Sequence, residues 1–290
     1  MAKTREIKRR LNSIDKTRQI TRTMEMVATS KLKKLSDLVK SARPYSERLG
    51  QVIGRLTDPE LRARYPLLRE PEEMRRAAVV LLTSNRGLCG AFNVNLIREA
   101  RELVQHLESE GVDVEFHVLG KKGLSYFRFQ GQEMASTRTD LPDRREPEHA
   151  EEIVDPLMDA FREESLDAVY VVYAQFRSAL STPPKTMKVL PVEPPAGHDE
   201  SSVAAGGYIL SPGADEILNE LLPLYVRNRV YRALVETAAA EQGARRTAMK
   251  NATDNAEEML DDLRRSFNRA RQAQITQEIS EIVGGADALE

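Results

Sequence analysis

Tryptophan is absent from this chain, and aromatic residues of any kind make up only 5% of its 290 residues. A chain so poor in aromatics and rich in Ala, Leu, Glu, Lys and Arg leans towards helix. A single cysteine, Cys89, excludes an intramolecular disulfide framework and fits a reducing compartment. No apolar run reaches the roughly 18 residues of a membrane span. A strong charge of either sign is also missing: 43 Lys and Arg face 45 Asp and Glu, a net of -2, which argues against a generic nucleic-acid binder. The opening MAKTREIKRRL has no apolar core behind its basic residues, so neither a secretory signal nor a cleavable leader is expected.

The helix breakers are missing from the two ends. Residues 1–43 hold no Pro or Gly and residues 224–283 hold only Gly243, whereas residues 44–223 hold 26 of the 29. The chain therefore divides into a long helix, a compact middle and a longer helix, with expected segments 1–57, 58–210 and 211–290. In the first, Ile7, Leu11, Ile14, Arg18, Thr21, Glu25, Ala28, Leu32, Leu35, Val39 and Ala42 alternate four- and three-residue steps, a heptad seam with a polar centre. The spacing predicts a helix over Thr4–Arg43, ended or kinked near Ala42 by Pro44. The last helix is expected to begin near Pro212–Asp215, bend at Pro223, run from Tyr225 to Val283 and stop at Gly284-Gly285. Its seam is Met249, Ala252, Ala256, Met259, Leu263 and Ala270. Each long helix is the natural partner of the other, in an antiparallel intramolecular coiled coil. Unequal lengths would leave about 19 residues overhanging, roughly 28 Å.

The middle alternates strand and helix. Ala77–Thr83, Val112–Leu119, Ala168–Phe176 and Thr186–Pro191 are expected strands; Asn93–Glu110, Lys121–Phe129 and a stretch within the acidic 140–165 are expected helices. The fold class is thus α/β: a long coiled coil of the terminal helices plus a small Rossmann-like α/β domain. Residues 197–207 read as a loop.

Chemistry is scarce. SNRGLCGAFN (84–93) follows a strand and opens a helix, where phosphate loops sit, but it matches neither GxGxxG nor GxxxxGK[ST] and reads as a tight structural turn. Cys89 has no histidine near it in sequence and reads as a small buried thiol. The histidines 106, 117, 149 and 198 are scattered and lack metal-ligand spacing. No catalytic group, cofactor site or metal site is expected.

Charge is more informative. Residues 1–50 carry 14 Lys and Arg against 5 Asp and Glu, with Lys31, Lys33 and Lys34 clustered just after the polar part of the seam. That is either a solvated basic face or a surface that meets an acidic partner. Arg264, Arg265, Arg269 and Arg271 form a second basic stretch. Beyond them Ile275, Ile279, Ile282 and Val283 make an i, i+4, i+7, i+8 stripe in the expected overhang. Each such side chain gains about 1.5–3 kcal/mol on full burial, so a partner protein should enclose the tip.

TRQITRTMEMVATSKLKK (17–34) resembles the N-terminal signature of the gamma subunits of F-type ATP synthases. ATDNAEEMLDDLRRSFNRARQAQITQEISEIVGGADAL (252–289) is similar to that family's C-terminal signature. SNRGLCGAFN and ADEILNELLPLYVRNRVYRALVE (214–236) fit in the right order, so the resemblance covers essentially the whole chain. It implies a central stalk: a coiled-coil rotor inside a ring of alternating alpha and beta subunits, with the globular part beside the epsilon subunit and the membrane c ring. Ion flow turns the rotor and drives ATP synthesis on beta, so no catalytic residue is implied here.

The resemblance also implies where the partners touch. Ile275, Ile279, Ile282 and Val283 match the part held in an apolar bearing. Arg271, Gln272 and Thr276 match positions that meet a beta-subunit loop. Met24, Glu25, Lys31, Lys33 and Lys34 match the region approached by an acidic beta loop, and Tyr208 is expected to face the c ring. Thr23, Ala240 and Arg246 depart from the usual Ala, Ser and Met, and Leu-Ser-Pro (210–212) replaces the usual Glu-Pro. The paired cysteines of the redox-regulated chloroplast form are missing. A bacterial subunit, peripheral on the cytoplasmic side of the inner membrane, is implied. Two readings compete: a free-standing coiled-coil scaffold or chaperone with an α/β head, and a small α/β enzyme using 84–93 as a phosphate loop.

Overall fold

A computed structural model describes residues 2–56, 64–142, 144–193 and 214–287. It contains helix α1 (Ala2–Leu56), a 3-10 turn (Pro66–Leu68), strand β1 (Arg76–Leu82), helix α2 (Phe92–Ser109), strand β2 (Asp113–Leu119), helix α3 (Lys121–Gln130), strand β3 (Ser136–Arg138), helix α4 (Pro147–Arg162), strands β4 (Ala168–Ala174) and β5 (Pro184–Leu190), and helix α5 (Ala214–Asp287). The chain forms two compact units, residues 1–28 with 245–290, and residues 29–244.

The first unit is two antiparallel helical segments. Thr21 Oγ1 and Thr253 Oγ1 lie 2.8 Å apart in its buried seam, Arg18 reaches Glu257 at 3.7 Å, and Thr4 donates to Gln274 Oε1 at 2.6 Å. The heptad phase of α1 is as expected, with Thr21 and Ala28 buried and Ile7, Leu11, Ile14, Arg18 and Glu25 half-buried. On α5 two positions differ: Ala252 is half-buried and Thr253 is buried in its place. Met259 is 53% exposed, and Leu260 is buried in its place. The seam there is Met249, Thr253, Ala256, Leu260, Leu263, Phe267, Ala270 and Gln274, again in steps of four and three. The alternating three- and four-residue spacing points to Ala252 and Met259, but the observed phase runs one residue later, through Thr253 and Leu260.

The register also differs from expectation. Thr4 sits opposite Gln274, so 13 residues, from Ile275 to Asp287, extend past it. The reason is Pro44, which does not end α1. An internal proline costs about 3 kcal/mol, but the continuing helix buries Leu49 and Ile53, 7% and 0% exposed, each worth about 1.5–3 kcal/mol. Burial wins, and the helix runs twelve residues past the proline to Leu56. Nor does the glycine pair stop α5, whose backbone remains helical through Gly284-Gly285 to Asp287.

The second unit is a mixed five-stranded sheet in the order β3-β2-β1-β4-β5, covered on both faces. β1, β2, β3 and β4 are parallel; β5 runs antiparallel to β4. β1 is central and apolar along its whole length because both its faces are covered. Ala78, Val80 and Leu82 face α4 and the 218–234 part of α5, with Leu49 and Ile53 of α1. Ala77, Val79 and Leu81 face α2 and Phe127 of α3, together with Leu32, Val39, Val235, Ala239 and Ala240 of the long helices. Strand β3 and the 3-10 turn carry too few residues to show a sequence period and were not expected.

Two close approaches lock this unit. Gly120, at φ +98, ends β2 so tightly that a Cβ there would lie 2.2 Å from the Thr83 carbonyl oxygen. Glu236 of α5, fully buried, accepts from Arg232 Nε at 2.8 Å and from the Phe176 amide at 3.2 Å, while Thr237 Oγ1 accepts the Ala174 amide. Helix α5 is thereby hydrogen-bonded to the end of β4 by side chains as well as packed against the sheet.

Candidate functional site

The 84–93 turn is filled by its own bonds. The Asn93 carbonyl accepts the Ser84 amide at 3.0 Å, the Asn93 amide donates to Ser84 Oγ and Cys89 Sγ, and Asn85 joins the Lys121 amide to the Thr139 carbonyl. Cys89 is 2% exposed, at the foot of α2. This is the tight structural turn and buried thiol expected from sequence, and it lacks the open cradle of amides that binds a phosphate. Among the described residues no group of three His, Cys, Asp or Glu could hold a metal. Burial pushes the His117 imidazole down, against a weaker upward pull from Glu115, and its Nδ1 lies 2.7 Å from Ser136 Oγ, in a structural place joining β2 to β3.

The residues marked for partner contact are surface groups on two helices. In the first unit, Arg271, Gln272 and Thr276 are exposed on α5, Thr276 Oγ1 donating to the Gln272 carbonyl at 3.0 Å. Ile275, Ile279 and Ile282 follow at 47%, 56% and 72% exposure, rising towards the end. Val283 lies in the same helix; its side chain and all of Tyr208 are outside the described residues. The expected basic stretch divides: Arg264 and Arg265 pair with Asp261 and Asp262 on their own helix. Arg269 and Arg271 have no ion pair among the described residues, so the uncompensated charge is the part next to the aliphatic stripe.

On α1, Met24 and Glu25 are half-buried at the edge of the seam. Sequence reasoning missed what lies beside them. Ile20 and Val27 are 60% and 51% exposed, and Lys16, Gln19, Ile20, Thr23 and Met24 line a shallow groove. Ile20, Met24 and Val27 repeat at i, i+4, i+7, a second apolar stripe on a helix whose other stripe is spent on the seam; that spacing was the available signal. In the second unit Lys31 is half-buried, while Lys33 and Lys34 are exposed and have no ion pair among the described residues. The arrangement presents apolar stripes and cations on exposed helix surfaces.

Residues 3–289 match the ATP synthase family profile. The ATP synthase gamma chain of Gemmatimonas aurantiaca is 57% identical over 290 residues, covering all of both chains. The chain belongs to the ATP synthase gamma-chain family. The gamma chain of Moorella thermoacetica is 43% identical over 292 residues, again covering both chains completely. In solved structures the fold is similar to a chain of the Euglena gracilis mitochondrial ATP synthase, TM-score 0.65 at 20% identity over 99% of this chain and 95% of that one. It is also similar to a central stalk and c-ring structure of the Tetrahymena thermophila mitochondrial ATP synthase, TM-score 0.63 at 24% identity over 80% and 99%. Among the described residues no helix is long and apolar enough to cross a membrane.

Proposed function

We propose that this chain is the central-stalk rotor of an F-type ATP synthase. It couples ion flow through the membrane c ring to ATP synthesis or hydrolysis on the beta subunits by turning inside the alpha/beta ring. It is a non-catalytic subunit: the reaction belongs to beta, and this chain supplies the asymmetric surface that moves past it. The observation that carries the reading is the exposed aliphatic series Ile275, Ile279 and Ile282 at the far end of a two-helix seam. A free-standing scaffold would leave that series in water, whereas a rotor tip seats it, with Val283, in an apolar sleeve.

The contacts suit a part that must repeatedly break them. Arg271, Gln272 and Thr276 meet a beta loop, and Met24, Glu25, Lys31, Lys33 and Lys34 meet an acidic beta loop. Exposed ion pairs are worth only about 0–1 kcal/mol each, so each can be exchanged as the shaft turns. Tyr208 faces the c ring, and the epsilon subunit binds the α/β part. Segments 1–57 and 211–290 form the shaft and 58–210 the globular part. The parallel order β3-β2-β1-β4, with the first crossover at β1, supports a Rossmann-like reading of that part. The complex places the chain peripherally on the cytoplasmic face of the bacterial inner membrane. Native mass spectrometry of the chain purified gently from its own cells tests the reading. One copy held with alpha and beta subunits is expected; a lone monomer or a homodimer would overturn it.

A further inference from the structure

The second unit contains a cavity unrelated to the surfaces above. It has a volume of about 450 Å³ and lies between α1, α5 and the β4–β5 side of the sheet, with Lys185, Arg229 and Arg232 among its walls. Across the sheet Lys185 stands opposite Tyr173, and Arg229 lies over the Tyr225 ring at 5.6 Å. Arg229 and Arg232 are i, i+3 neighbours on one helix face, where like charges repel.

Compensation is incomplete. Arg232 is paired with Glu236, whose second oxygen is taken by the Phe176 amide. Lys185 and Arg229 have no ion pair among the described residues, and no described wall residue carries a carboxylate. Ser46 and Tyr225, each 7% exposed, also line the cavity and add two hydroxyls to its walls.

Donors thus outnumber acceptors: three cations, two hydroxyls and the side-chain amides of Gln51 and Gln175 converge on one space. The volume falls within the roughly 300–1,000 Å³ of small-ligand sites and exceeds the need of a single phosphate. The cavity is half open, and its three cations gather at one spot rather than along a track, which suits a compact anion better than an extended acidic peptide. We propose that this cavity is a binding site for a small diphosphate-bearing anion, held by Lys185, Arg229 and Arg232 and by the Ser46 and Tyr225 hydroxyls. It is independent of the rotor reading, since it uses none of the contact residues assigned there.

The test is calorimetric titration of the full chain at physiological salt with inorganic pyrophosphate and, separately, ADP. Saturable one-to-one binding of at least one of them is expected, weakened at least tenfold in K185Q/R229Q with an unchanged circular dichroism spectrum. Tighter binding of ADP would assign a nucleoside to the Tyr225 side; tighter pyrophosphate would assign the free anion. Absence of saturable binding by both, or equal affinity in the double variant, overturns the proposal. Should the double variant fail to fold, K185Q alone, at the exposed position of edge strand β5, replaces it with a weakening of at least threefold expected and unchanged affinity overturning.

Discussion

Replacing Glu236 with alanine should loosen the attachment of α5 to the sheet. Glu236 is fully buried, with Arg232 Nε at 2.8 Å on one oxygen and the Phe176 amide at 3.2 Å on the other. Breaking a buried ion pair by removing one partner costs about 3–5 kcal/mol. Arg232 retains 30% exposure and can be partly rehydrated, which places the loss at the lower end, about 3 kcal/mol. For a cooperative unit of this size each kcal/mol moves the midpoint by about 2–4 °C, so a fall of about 6–12 °C is expected. Glu236→Gln keeps an acceptor for the Phe176 amide and loses only the charge, and should fall by about half as much. Scanning calorimetry reads the midpoint, and hydrogen exchange at the Phe176 amide reports the local site. A Glu236→Ala protein melting within about 2 °C of the parent, with Phe176 still protected, would refute the reasoning, because it would mean that apolar packing alone holds α5 in place.

Ile279→Asp removes roughly 1 kcal/mol of burial from a side chain that is 56% exposed in the isolated chain, and adds the cost of enclosing a carboxylate. In membrane vesicles ATP-driven ion pumping should drop relative to ATP hydrolysis; an unaltered ratio would count against an enclosed tip. Gly120→Ala meets both a left-handed φ and the Thr83 carbonyl, and should destabilise the second unit by at least about 3 kcal/mol in urea unfolding; a loss below about 1 kcal/mol would contradict the close approach. His117 is held below its ordinary value of about 6.5 by burial. The folded state therefore binds its proton less readily than the unfolded chain, so stability is fully present above about pH 6.5 and is lost as pH falls from there towards the lowered native value. His117→Gln should flatten that part of the stability profile, and an identical slope in both proteins would show that another group titrates.

The two long helices and four of the five strands were legible in sequence because each carries a pattern longer than one turn. The alternating steps from Ile7 to Val39 mark one continuous apolar face of a helix, and AAVVLLT reads as a strand buried on both sides. The three-residue strand β3 carries no period of its own; it exists because β2 offers His117, Val118 and Leu119 as a parallel edge. The tip residues Ile275, Ile279 and Ile282 were legible for the same reason as the seam, being apolar at helical spacing. The Ile20, Met24 and Val27 stripe carried the same signal but was masked by the seam residues interleaved with it. Only the folded chain shows which of two stripes on one helix is already spent.

The cavity formed by Ser46, Lys185, Tyr225 and Arg229 had no sequence signal, since its walls come from three segments far apart in the chain, and so it depends on the register of α1 against α5. Local breakers misstate that register. Taken alone, Pro44 predicts a shaft about ten residues out of step, because one missing hydrogen bond outweighs the helix propensity of the few residues around it. In the folded chain the comparison is with Leu49 and Ile53, whose combined burial is worth about 3–6 kcal/mol against about 3 for the proline. The same comparison explains α5 at Pro223, flanked by the buried residues Leu218, Leu222, Tyr225 and Val226. Proline thus marks a helix end only where the residues beyond it have little to bury. In this chain both prolines precede core positions, and both helices continue through them.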